Sequence, residues 1–506
     1  MRVAVFGTGI VYSRLSLELK KVTNIAFLID NNVAYNSYDD IPVIKPSDIV
    51  VADTDIFVLA SNKYSVEMRN QLLALGVPKE KIKHFDEFLQ PYRKGKISFE
   101  YKQSGSSRHL VEKYAIEELN RRAGFNRSIL IISYHANYDG GSLAAVHAAM
   151  ALQSSGYQPV LAVPSIDDKF LEEVINKDIC VAICPNLINP SEVEMDWIGH
   201  WQRILVNTLQ MSHATLAIGK RQKVIAWLHE SPEVYEAYEY FHDDFQRAFD
   251  EKNVYVYTVS RVARDNFLKY YRCNTNGIRI LPYGLPDEHI VTGNNGINKP
   301  MTFALIGSIS KGKGVDIYLD AIEKVNKVLA NKPNNAEFLL IGKNNGDEFA
   351  ERMLKRVCKN PNIRYLGQKD REKMNKLYRD KIDVVVVASR SETMSMTATE
   401  AMMLRKPSIV SDTSGISDFI TDNYDGFIFK SENSDELATK IVWCINNSEK
   451  LEGIGAKGRK IYESEFIMKA FSKRLTDGLM SRFSTSQFSK NTDASGIETI
   501  KGGQHL

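Results

Sequence analysis

A chain of 506 residues with 43% apolar side chains is long enough to bury about two to four separate cores. Its formal net charge of +3 is too small to mark a nucleic-acid binder. The five cysteines (Cys180, Cys184, Cys273, Cys358 and Cys444) are odd in number and lack metal-ligand spacing, which excludes a disulfide framework and fits a reducing compartment.

The opening MRVAVFGTGI has neither a basic stretch nor a long apolar one, so it reads as a strand and not as a secretory leader. VAVFG (3–7) and IAFLID (25–30) flank a helical pattern. DIFVLAS (55–61), a helix through YSVEMRNQLLALG (64–76) and KIKHF (81–85) complete a first α/β unit, residues 1–92. The basic stretch PYRKGKISFEYKQSGSSRH (91–109) reads as part of a linker over 93–125.

A second unit, 126–295, carries the strand-like runs SILIISY (128–134), PVLAVP (159–164), VIAWLHE (224–230), VYVYTVS (254–260) and IRILPYG (278–284). Within it, DWIGHWQRILVNTLQMSHATLAIGKRQK (196–223) mixes tryptophan, apolar positions and a basic end, as an interfacial helix would. A core helix followed by a surface turn explains that segment equally well. A third unit, 296–484, repeats the alternation through TFALIG, EFLLIG, IRYLG, DVVVVAS and PSIVSD. The tail 485–506 is polar and reads as disordered. No run of about eighteen apolar residues occurs, so no helix is expected to span a membrane. Strands alternating with helices imply an α/β protein with parallel sheets.

In such sheets ligands sit beyond the carboxyl ends of the strands. Three strand ends carry suitable residues. Gly307-Ser308-Ile309-Ser310-Lys311-Gly312-Lys313-Gly314 precedes a helix, whose N-terminus and lysines suit a diphosphate or form only a solvated basic turn. Behind DVVVVAS, Glu392 and Glu400 either hold two sugars or serve as a helix cap and a surface residue. In the second unit Gly140-Gly141 opens a helix, and His229-Glu230 ends a strand.

Together the segments over about 126–482 resemble glycosyltransferase family 4, retaining enzymes of GT-B fold whose two Rossmann-like domains face a cleft. The resemblance rests on E-x7-E (Glu392 to Glu400) followed by AMM, on PSIVSDTSGISDFI, on GKGVDIYLDAI and on LGQ…LYRDKIDVVVVASRSE, all in order. It implies that Glu392 meets the transferred sugar and that Glu400 holds the ribose. Thr393, Ser395, Met396 and Thr397 stand where the family usually has a Gly-Phe-Gly-Leu-Pro-like segment against the donor. The family's basic pair maps to Ser308 and Lys313, with Lys311 able to restore the missing charge. Gly141 matches the glycine that meets the diphosphate, and His229 the histidine that lines the sugar site; His229 and Glu392 are the implied catalytic pair.

The first unit resembles a small Rossmann-like domain found beside sugar-modifying enzymes, including bacterial sugar acetyltransferases and polysaccharide-biosynthesis dehydratases. Its turn, Gly7-x-Gly9-x-x-Tyr12, lacks the third glycine of a dinucleotide fingerprint, and Asp30 ends the second strand. Gly7, Gly9 and Asp30 therefore either bind a nucleotide or belong to a docking domain. The resemblance implies a metal-independent, retaining transferase with a nucleotide-sugar substrate, no cofactor and no nucleic acid. The acceptor would be a glycan or a lipid-linked glycan of a bacterial surface polysaccharide. The expected location is the cytoplasm or the inner face of a membrane, with peripheral contact and homo-oligomerisation both open. A non-catalytic nucleotide-sugar-binding scaffold and a GT-B sugar-nucleotide epimerase are the alternatives, the second disfavoured by E-x7-E.

Overall fold

Short β-branched runs such as Val384–Val387 can be buried along their whole length only where helices cover both sheet faces. In the computed structural model these runs make three sheets. The structure describes residues 2–483 apart from residues 10, 13–15, 17–18, 21, 32–36, 62–63, 90–97, 104–105, 111, 274–276, 289–299 and 330–335. The tail expected at 485–506 lies outside the described residues.

The first sheet contains β1 (Val3–Phe6), β2 (Ile25–Ile29), β3 (Ser37–Tyr38), β4 (Ile41–Ile44), β5 (Ile56–Leu59) and β6 (Ile82–His84), in the order β3-β4-β2-β1-β5-β6. The second contains β7 (Ser98–Gln103), β8 (Ser106–Leu110), β9 (Ser128–Ile132), β10 (Gln158–Val163), β11 (Cys180–Ile183), β12 (Ile204–Asn207), β13 (Val224–Leu228), β14 (Val254–Thr258) and β15 (Arg279–Ile280). Its order is β15-β14-β13-β12-β9-β10-β11-β7-β8. The third contains β16 (Met301–Ile306), β17 (Ala336–Ile341), β18 (Ile363–Gly367), β19 (Val384–Val387), β20 (Ser408–Ser411) and β21 (Phe427–Phe429), in the order β18-β17-β16-β19-β20-β21.

Each sheet winds outward from its first parallel strand in one direction and then reverses. The reversal leaves a switch point beside β1/β5, β9/β12 and β16/β19, where a crevice opens at the strand ends. The helix Met468–Phe483 crosses from the third unit to the second. There Ser472 Oγ donates to the Ala151 carbonyl at 2.6 Å, and the Phe471 ring stacks on Trp227 at 5.8 Å.

Two expectations change. Residues 98–103 and 106–110, expected within a linker, form the antiparallel pair β7–β8 on the edge of the second sheet, followed by the helix Glu112–Ala123. The segment 196–223 is no interfacial helix: it contains buried β12 and the buried helix Ser212–Gly219. Trp197 and Trp201 are 0% and 1% exposed within the second unit's core. Three apolar residues and an asparagine between helical runs have no periodicity that marks a strand, so β12 is not legible in the sequence. Trp197→Ala should destabilise this unit by about 3–5 kcal/mol, the range for truncating a buried tryptophan. A fall in its urea midpoint checks this; unchanged stability with weakened vesicle binding would restore the interfacial reading.

Candidate functional site

The switch points of the second and third sheets face each other across a cleft of about 920 Å³, within the range of about 300–1,000 Å³ usual for small-ligand sites. Gly141, Thr208, His229 and Glu230 line it from one side; Lys311, Lys313, Arg390, Glu392 and Thr393 line it from the other. Sequence analysis picked out seven of these nine, as site residues or as strand-end neighbours, and missed Thr208 and Arg390.

Asn207, the last residue of β12, organises the second unit's wall. Its Nδ2 donates to Ser133 Oγ at 2.9 Å and to the Gly141 carbonyl at 3.0 Å. With both amide hydrogens committed, Oδ1 is left as the acceptor for His229 Nε2, 2.6 Å away. The network therefore places the imidazole proton on Nε2 and leaves Nδ1 as a bare acceptor for a ligand hydroxyl. Burial lowers the His229 pKa to about 3, which keeps the ring neutral. Asn207 carries no signal in the sequence, because neither reading of 196–223, an interfacial helix or a core helix with a surface turn, ends a strand there. The helix Gly140–Ser154 starts at this wall, but its anion-ready end is partly used, because Asp139 accepts from Ser142 N at 2.8 Å.

Glu230 is buried and accepts from two backbone amides, Leu209 N and His229 N, each at 2.7 Å. Burial pushes its pKa up to about 7, against the preference of both amides for the carboxylate. The side chain thereby ties the His229 backbone to the turn after β12.

In the third unit the basic turn folds back on the strand ends. Gly314 has φ +65°, and a Cβ there would stand 1.9 Å from the Ala388 carbonyl oxygen, so the turn demands glycine. Arg390 locks it from beneath: it donates to the Lys311 carbonyl at 2.5 Å, pairs with both oxygens of Asp316 at 2.8 and 2.9 Å, and reaches Glu432. Lys313 Nζ lies 3.0 Å from Glu392 Oε1, while Glu392 Oε2 accepts from Ser389 Oγ at 2.5 Å. Lysine and glutamate from the two separate motifs thus meet at the cleft.

Other predicted residues have different neighbours. Ser308 Oγ donates to Ser310 Oγ at 3.4 Å. Ser395, fully buried, accepts from Ala398 N and caps the helix Met396–Met403, so Glu392 is not the cap. Thr397 bonds to the Ser395 hydroxyl at 3.1 Å, and Met396 packs against the core. Nor is Glu400 a surface residue: it is 9% exposed, paired with Arg371 Nη1 at 2.5 Å and accepting from Tyr378 OH at 3.0 Å. Arg371 also holds Glu288, on the irregular segment after β15, at 2.6 Å. Tyr283 on the same segment has a buried hydroxyl with no hydrogen-bond partner; burial first, then Glu392 and Glu400, keep it protonated.

In the first unit Asp30 Oδ2 accepts from Thr8 N at 3.1 Å and Thr8 Oγ1 at 2.5 Å, so the carboxylate expected for a ribose closes its own glycine turn. Gly7 has φ +106° against Ala60, and Gly9 stands open.

The titrations have opposite signs. Between about pH 4.5 and 7 the folded state holds a proton on Glu230 that the unfolded chain has lost, so this group's contribution falls as pH rises. His229 does the reverse: its contribution falls as pH drops from about 6.5 towards 3. The thermal midpoint of wild type relative to that of Glu230→Gln should therefore fall with rising pH from 4.5 to 7. A pH-independent difference refutes the buried-carboxyl account.

Known proteins match this geometry piecewise. Residues 288–461 match the family model Glycosyl transferases group 1, and residues 1–83 match the model C2185-like, N-terminal. The uncharacterized glycosyltransferase MJ1178 of Methanocaldococcus jannaschii is 30% identical over 176 residues, 33% of this chain and 46% of that protein. The capsular polysaccharide biosynthesis glycosyltransferase CapM of Staphylococcus aureus is 25% identical over 225 residues, 43% of this chain and 57% of that protein. The chain thus spans about half the length of these curated relatives. Among solved structures, Anabaena Alr3699/HepE in complex with UDP and glucose superposes with a TM-score of 0.59 at 16% identity, over 70% of this chain and 100% of that one. The sucrose-phosphate synthase of Thermosynechococcus elongatus follows at 0.56 and 16%, over 71% of this chain and 100% of that one. These likenesses show the fold: GT-B, with an additional α/β region before it. Residues 288–461, which match the Glycosyl transferases group 1 model, form one wall of the cleft.

Proposed function

We propose that the protein is a retaining glycosyltransferase of family 4, which moves a hexosyl group from a nucleotide sugar to an acceptor hydroxyl in surface polysaccharide synthesis. The observation that carries this is the Lys313–Glu392 pair, set at one switch point and facing Gly141 and His229 at the other. The pathway reading draws on CapM and on the poly(ribitol-phosphate) α-N-acetylglucosaminyltransferase of Staphylococcus aureus, 27% identical over 196 residues, 36% of this chain and 38% of that protein.

A donor diphosphate enters at the basic turn and competes with Glu392 for Lys313. The N-termini of the helices Val315–Val328 and Met396–Met403 supply further positive potential. His229 Nδ1 accepts from a hydroxyl of the transferred sugar, and Glu392, released from Lys313, accepts from another. Glu400 exchanges Arg371 and Tyr378 for the ribose hydroxyls. The bond from the sugar's anomeric carbon to the phosphate oxygen breaks on the face where the acceptor oxygen attacks. The acceptor proton passes to the departing phosphate oxygen, and a nucleoside diphosphate leaves. No divalent cation is required, because Lys313 and the helix termini carry the leaving charge.

The engaged state of Glu400 favours one second reading, a scaffold that binds a nucleotide sugar without turning it over. Ligand-observed NMR with UDP-, GDP-, dTDP- and CMP-sugars, with and without EDTA, followed by transfer or donor-hydrolysis assays, separates the two. Glu400→Ala should weaken donor binding about ten- to a hundredfold, the cost of a hydrogen bond to a charged group. Glu392→Ala should lower turnover more than affinity. Equal effects of both variants on binding and turnover would refute these roles, and binding without turnover in wild type would establish the scaffold.

A further inference from the structure

A second cavity, of about 320 Å³, lies where the first α/β unit meets the second. Glu87, at the end of the first unit, forms one wall; Tyr240, Phe241 and Asp244 of the second unit form the other. Tyr134 and Gln210 line both this cavity and the main cleft, so the two spaces adjoin at the switch point between β9 and β12. The junction between units is firm. The Arg69 guanidinium lies over the Tyr240 ring at 4.9 Å, and the His84 ring meets Phe241 edge-on at 4.9 Å.

The cavity's chemistry is specific. Its walls present aromatic faces and carboxylate or amide oxygens, and no lysine or arginine lines it among the described residues. Lys83 pairs with Glu87 at 2.5 Å and Arg247 with Asp244 at 3.2 Å; His213, which lines the cavity 3.7 Å from Asp244, is pushed towards its neutral form by burial. Glu87 and Asp244 both remain about half exposed. The amide oxygen of Gln210, at the junction with the main cleft, is buried without a hydrogen-bond partner. A buried acceptor in that position calls for a donor from a ligand. A sugar ring supplies what these walls lack: an apolar face for the aromatic rings and hydroxyl donors for the carboxylates and the amide.

We propose that this cavity holds a neutral sugar residue of the acceptor glycan, so that the first α/β unit completes an acceptor subsite with Glu87. The proposal deepens the transferase reading and rests on it for the word acceptor. It also gives the first unit a function that does not need a nucleotide at Gly7, Gly9 and Asp30. The glycan chain runs from this subsite past Gln210 and Tyr134, and its terminal hydroxyl reaches the main cleft.

The test uses the full chain and saturation-transfer NMR. The probes are methyl β-D-glucopyranoside, methyl β-D-galactopyranoside and methyl N-acetyl-β-D-glucosaminide, with methyl β-D-glucuronide as the charged counter-probe. Each is titrated with and without UDP. At least one neutral glycoside should bind and stay bound in the presence of UDP. Its affinity should drop about five- to tenfold in both Glu87→Ala and Asp244→Ala, the size of one lost hydrogen bond, while UDP binding is unchanged. Both side chains are exposed enough that neither variant removes a core contact. The proposal falls if no neutral glycoside binds, if both variants bind as wild type does, if UDP displaces the glycoside, or if the glucuronide binds better. Failure of UDP to bind wild type would count against the donor reading alone, because the glycoside titrations without UDP still decide the groove.

Discussion

The cleft depends on one contact between its walls. Thr393 Oγ1 donates to the His229 carbonyl at 2.6 Å, and Ser260 Oγ donates to the Thr393 carbonyl at 2.5 Å. Gly415 permits this approach, since a Cβ there would stand 2.0 Å from the Thr393 oxygen and 2.5 Å from Ser260 Oγ. These bonds join the loop after β19 to the ends of β13 and β14. They set how far Glu392 stands from His229, and so which ligand fits between them.

Charge in the cleft is arranged around that contact. Arg390 is saturated by Asp316, Glu432 and the Lys311 carbonyl, so it shapes the basic turn and is not available to a diphosphate. Lys313 is different, because its ammonium pairs with Glu392, itself a motif residue at the cleft. Glu400 is held in the same way by Arg371, whose other partner Glu288 lies on the link between units. The two motif glutamates thus pair with cations from different elements, one from the basic turn and one from the helix Arg371–Asp380.

The first α/β unit shares the winding of the other two sheets but not their open switch point. Asp30 is turned inward onto Thr8, and Tyr12 fills the place of the third glycine with a fully buried ring. Its contribution to the cleft region comes from the opposite end, through His84 and Glu87 against the aromatic segment at 240–241.

Strands such as β9, β16 and β19 were legible because β-branched apolar runs of that length suit a covered parallel sheet. The α/β architecture, the glycine turns and the spacing of Glu392 and Glu400 followed from the same local chemistry. Chain order alone determined these features, since propensity and period act over a few neighbouring residues. What the glutamates touch was decided only by tertiary structure. Arg371 is 29 residues from Glu400 and Lys313 is 79 from Glu392, and Asn207 meets His229 from a strand hidden between helices. The wall that Glu87 shares with Asp244 is likewise invisible in sequence. Such contacts depend on which sheet ends are folded to face each other, and no local pattern encodes that distance.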